Sequence, residues 1–90
     1  MPESNIQTAI DTALQVASFV EQLASGVVLT EPNADARLKS ENIFQRKTYA
    51  SRNIQHLKRL MTQTWFTDAL TMEQFTAINN AIVAGEDYLD

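Results

Sequence analysis

The chain predicts an all-α fold, a small helical bundle in which two long antiparallel helices, about 5–25 and about 34–64, are completed by a shorter third at about 72–84. Three observations carry this. Apolar residues recur at alternating four- and three-residue spacings along both long stretches, the period of one helix face. Only two glycines and two prolines interrupt 90 residues. Helix-start chemistry then recurs at Ser4 and Thr71, each followed three residues later by a glutamine.

In the first helix, Ser4 and Gln7 form a capping-box pattern at the start, and Gly26 offers a left-handed stop. Between them Ile6, Ile10, Ala13, Ala17, Val20 and Ala24 make one stripe. Ala9, Leu14, Val16, Phe19 and Leu23 widen it to roughly 200° of the helix circumference. One contact surface needs less. The first helix therefore sits between two helices of its own chain, or it turns one side to another copy, and small alanines permit close approach in either case. If the copy is the answer, Ile10, Ala17 and Val20 supply one side and Ala9, Val16 and Leu23 the other.

Residues 26–33 read as the main loop. Pro32 pushes Glu31 out of helical geometry, and Asn33 offers a cap for the next helix. Val27, Val28 and Leu29 are too apolar to stay in water and should fold back over a helix end, with a three-residue strand as the minor alternative. The second helix should begin between Asn33 and Ser40, which makes it the longest. Its inward face reads Ile43, Lys47, Ala50, Ile54, Leu57 and Met61, with Trp65 one turn further. Lys47 interrupts this seam; it can lie along the groove with its ammonium in water or pair with an acid on another helix.

Residues 64–70 turn the chain with room for one short helical turn. The third helix opens with Thr71 and Gln74 as a reciprocal cap, Leu70 stapled onto Phe75, and Gly85 at its far end. Phe75, Ile78, Ala81 and Ile82 form its inward face. Tyr88 and Leu89 should pack over the end of the bundle while the acids of the tail stay in water.

Charge is strongly segregated. All seven Lys and Arg residues and His56 lie within residues 37–59; the formal charges are -5 for residues 1–36, +7 - 1 = +6 for 37–59 and -5 for 60–90, which sum to the net -4. Arg52, His56 and Arg59, at i, i+4 and i+7, share the side opposite the apolar seam with Gln45 and Gln63. With Lys58 they form a candidate basic face for carboxylates of an acidic protein partner or for phosphates. Arg46 falls at the margin of the seam, and if covered it should have a carboxylate partner, for which Glu21, Asp68 and Glu73 are available.

Several function classes find no residues here. Without cysteine there is no thiol catalysis, disulfide or common structural zinc set, and a lone histidine among cations is a poor metal ligand. No phosphate loop, dinucleotide fingerprint, calcium loop or nucleophile elbow occurs. The expectation is a protein with no catalytic, metal or cofactor site, hence not an enzyme. Its polar, acidic N-terminus and the lack of any run of roughly 18 apolar residues predict a soluble, cytoplasmic protein without signal peptide or membrane span.

The composition resembles that of many small helical proteins encoded by bacteriophages and bacteria. That likeness covers no motif and assigns no residue. A short chain has a small core, and oligomerisation is a common remedy. The leading expectation is therefore homo-oligomerisation or protein–protein interaction, with the surface of Ala9, Ile10, Val16, Ala17, Val20 and Leu23 meeting a second copy. The alternative is a small nucleic-acid-associated regulator using Arg52, His56, Lys58 and Arg59. It lacks a recognised nucleic-acid motif, and the acidic flanks oppose it.

Overall fold

In the computed structural model, which describes residues 3–90 and side chains from Asn5 onward, the elements in order are α1 (Glu3–Ala24), α2 (Ala36–Lys39), α3 (Ile43–Leu60), α4 (Thr64–Thr67) and α5 (Met72–Leu89). All five are α-helices, and no strand occurs among the described residues. The three long helices α1, α3 and α5 pack into one bundle.

The helix α1 includes Glu3 and Ser4, so Ser4 stands inside it rather than at its N-cap; the Ser4 side chain lies outside what is described. Its end follows the sequence. Gly26 takes the left-handed conformation with φ 80°, and its amide donates to the Leu23 carbonyl at 3.1 Å.

Within its own chain α1 has two long helical neighbours. It packs against α5, its most extensive neighbour, and against α3, while α3 and α5 also meet directly. Ile10, Ala13, Ala17, Phe19, Val20 and Leu23 are all buried in the chain's own core. Two faces of one helix thus meet two helices, which explains a stripe wider than a single contact needs.

The expected second helix over residues 34–64 is not one helix. Its N-cap is not Asn33: Asp35 caps the four-residue α2, and the chain extends through Ser40–Asn42 before α3 begins. A local cap competes with helix continuation here. The Asn42 side chain accepts from the Gln45 amide at 3.0 Å, and Ser40 Oγ both accepts from the Asn42 amide at 3.2 Å and donates to Gln45 Oε1 at 2.8 Å. Such polar side chains satisfy the first amides of α3 and so fix a new start.

Ala50, Ile54 and Leu57 face the core as their spacing requires. Ile43 does not. It is 66 % exposed at the first residue of α3, ahead of the stretch that packs. Lys47 is half-buried and has no ion-pair partner among the described residues; its ammonium lies 5.5 Å from the centre of the Tyr88 ring. The turn after α3 contains α4, which buries Phe66 completely and sets Trp65 edge-on to it at 5.8 Å.

Thr71 and Gln74 form the expected reciprocal cap, with Thr71 Oγ1 accepting from the Gln74 amide at 3.1 Å and Gln74 Oε1 from the Thr71 amide at 2.9 Å. Ile78, Ala81 and Ile82 are buried, but Phe75 is 41 % exposed and does not belong to the inward face. Nor does Gly85 end the helix. The α5 helix runs on to Leu89, with Gly85 buried in its interior against Ile54 and Val20. Tyr88 and Leu89 pack on the core as the last turn of that helix.

Candidate functional site

The connection between α1 and α3 is organised by Arg46. Its side chain is 3 % exposed, and its partners are backbone carbonyls rather than a carboxylate: Nη2 donates to Val27 O at 2.7 Å, and Nη1 to Ser40 O at 3.0 Å and Leu38 O at 3.4 Å. The expectation of Glu21, Asp68 or Glu73 as partner is therefore corrected. A planar fork of N–H donors can satisfy several carbonyls that a loop leaves unpaired, so the buried charge is offset by oriented dipoles. Two of the three points belong to the stretch ending α2, and the third lies just after Gly26. Leu29 adds a backbone bond to Leu38 at 3.0 Å. Leu38 is buried and Leu29 half-buried against the core, whereas Val28 stays 37 % exposed.

Arg37 holds the other side of this connection. Its guanidinium donates to both Asp35 oxygens, at 3.0 and 2.7 Å, and lies 4.0 Å from the centre of the Phe19 ring. That hydrogen-bonded partner holds the Asp35 carboxyl below its usual 3.8 and raises the Arg37 value in turn. Phe19 thus joins the loop to α1.

The cations predicted to form one face divide in two. Lys58 turns toward α5, where it meets Glu86 at 3.1 Å. Arg52, His56 and Arg59 are exposed on the outward side of α3, with no side-chain partner among the described residues. Because α3 contains no Asp or Glu, nothing on that helix neutralises them.

Sequence reasoning missed the apolar end of this face. Phe44, one residue into α3, is 82 % exposed, and it borders an open cleft of about 440 Å³ with Asn42, Gln45, Thr48, Tyr49 and Arg52. The signal was present in the spacing: Phe44 falls outside the Ile43–Met61 seam and on the row Thr48, Arg52, Gln55, Arg59.

The six residues predicted to meet a second copy are placed differently. Ile10, Ala17, Val20 and Leu23 are interior, leaving Ala9 and Val16 half-buried. Val16 borders a cleft of about 200 Å³ that Phe19, Asp35, Arg37 and Asn53 also line. A wider opening, about 610 Å³, lies between the C-terminal parts of α1 and α5 and is lined by Glu21, Asn80, Asp87 and Tyr88. Among the described residues no group of three or more His, Asp or Glu side chains is placed to hold a metal ion, and no helix is long and apolar enough to cross a membrane.

No family model, curated protein or solved structure matches this chain.

Proposed function

We propose that this protein is a non-enzymatic interaction module whose outward α3 face receives an acidic surface of a protein partner. The observation that carries the reading is the row of Arg52, His56 and Arg59, exposed and without a side-chain partner among the described residues, on a helix without a single acid, with the exposed Phe44 at one end. Guanidinium groups bind carboxylates in bidentate fashion, and an aromatic ring gives such a contact an apolar anchor. Both features recur in protein interfaces, where Arg and Phe are enriched.

An acidic protein suits this face better than nucleic acid does. The flanking helices α1 and α5 contain acids and no Lys or Arg, and the net charge is -4, so a long polyanion crossing the face meets repulsion on either side. A compact acidic patch avoids them.

Fluorescence anisotropy tests this with two labelled probes, a peptide alternating Glu with Leu or Phe and a single-stranded oligonucleotide of equal charge. The peptide should bind the wild type and lose at least tenfold in affinity with Arg52→Glu/Arg59→Glu, while the oligonucleotide binds more weakly than the peptide. Absence of peptide binding in low salt would overturn the reading. Stronger oligonucleotide binding, abolished by the same substitutions, would replace it with the nucleic-acid alternative.

A further inference from the structure

Two exposed stripes of this molecule match each other. On α3, Phe44, Thr48, Gln55 and Arg59 form one row at i, i+4, i+11 and i+15; on α5, Met72, Thr76, Val83 and Asp87 form a row with the same spacing. Each set spans less than a quarter-turn of its helix and is about 22 Å long. Both point away from the core. Phe44 is 82 % and Met72 81 % exposed, Val83 is 50 % exposed, and Arg59 and Asp87 are in solvent. Each row thus runs from an apolar N-terminal end to a charged C-terminal end, and the charges are opposite.

We infer that the acidic surface received by α3 is the α5 face of a second copy of this chain, docked parallel and in register. This rests on the proposed binding role of the α3 face. In that alignment Phe44 meets Met72, Thr48 meets Thr76, the Gln55 stem covers Val83, and Arg59 pairs with Asp87. Arg52 falls opposite Asn80, whose side-chain carbonyl can accept from it.

Charge selects this pairing over the symmetric ones. Two parallel α3 faces in register would set Arg52 and Arg59 against their own kind, and two parallel α5 faces would set Asp87 against Asp87. Among parallel, in-register pairings, only unlike faces attract. The resulting contact is heterologous, so each copy offers one donor face and one acceptor face, and assembly proceeds head to tail into a ring or a chain. Moreover, the smallest dimension of the molecule is 19 Å, about two helix diameters, which leaves an outer side on each long helix for this purpose.

A mixing experiment tests the inference directly. Phe44→Ser/Arg59→Ser removes the α3 face, and Met72→Ser/Asp87→Ser removes the α5 face; the side chains are exposed, so neither pair touches the core. Circular dichroism confirms that each variant is folded. By light scattering, the wild type at low salt should exceed the 10.1 kDa of one chain and grow with concentration. Each variant alone should be monomeric. Their equimolar mixture should form a capped pair of about twice 10.1 kDa that does not grow further, because only one competent face of each kind remains. A monomeric wild type, a folded variant that still assembles, or a mixture that stays monomeric overturns the inference. If the acidic peptide binds a monomeric wild type through Arg52 and Arg59, the α3 role stands and only the second copy is wrong; if neither binding nor assembly occurs, both fail.

Discussion

Replacing Gly85 with alanine sets two familiar effects against each other, and the structure decides which wins. In an open helix interior the substitution favours folding by about 0.8–1 kcal/mol, because alanine loses less backbone entropy. Here the added methyl would stand 2.5 Å from Ile54 Cδ1, 2.7 Å from Val20 Cγ1 and 2.9 Å from Ile54 Cγ1. All three distances lie well inside van der Waals contact. Ile54 is 1 % and Val20 0 % exposed, so neither has free volume to enter, and the β-branched Val20 has few rotamers to offer. Overpacking of this kind costs about 1–3 kcal/mol. The expected net result is a loss of about 1 kcal/mol, which for a domain of this size lowers Tm by roughly 4–8 °C.

Urea unfolding followed by helix signal and by Trp65 fluorescence measures it, with an unchanged m-value showing that the loss is one of stability. The double variant Gly85→Ala/Ile54→Val removes the nearest methyl. Ile54→Val alone costs about 0.5–1.5 kcal/mol. Together the two changes should therefore cost less than the sum of their separate effects, a coupling expected only of residues in contact. A Gly85→Ala protein as stable as the wild type, or strict additivity in the double variant, would refute the close approach of α5 to α1 and α3 at this point.

Two further outcomes follow from the connection between α1 and α3. Arg46→Met should cost about 2–4 kcal/mol, since it strips the carbonyls of Val27 and Ser40 of their side-chain donor and leaves Leu38 O with the Leu29 amide alone, and that amide should exchange with solvent much faster than in the wild type. Arg46→Lys should not restore stability, because one ammonium lacks the fork that reaches all three; a fully stable Lys variant contradicts the arrangement. Asp35, whose carboxyl is held low by Arg37, contributes stability that is present above about pH 3.8 and lost as pH falls through its lower folded value. Because both side chains are more than a third exposed, the ion pair contributes only a few tenths of a kcal/mol. An NMR titration should give Asp35 a midpoint below 3.8 that returns to the ordinary range in Arg37→Ala; a midpoint at or above 3.8 in the wild type contradicts the pair.

The sequence by itself determined what is local. Helix period, the Thr71–Gln74 cap and the Gly26 stop each depend on residues within a turn of one another, so they are legible without knowing any distant neighbour. The same holds for the core positions of α1 and for Ala50, Ile54, Leu57, Ile78, Ala81 and Ile82, because an apolar stripe marks the side that must be covered. Even the break at Ser40–Asn42 had a local sign, Asn42 three residues before Gln45, although the apolar period that suggested one long helix begins only at Ile43.

Only the tertiary structure decided what covers each stripe and where coverage ends. Ile43 and Phe75 fit the period yet lie in the opening turns of their helices and remain exposed, whereas Phe66, in a segment with no period, fills the interior. Gly85 has the residue type of a helix stop, but its missing side chain serves a crossing whose partners, Val20 and Ile54, are remote in sequence. Arg46 satisfies its charge on carbonyls that become available only once the loop has folded around it. Patterns state that a face must be buried or a charge satisfied. The partner comes from another part of the chain, and its identity is a property of the assembled bundle.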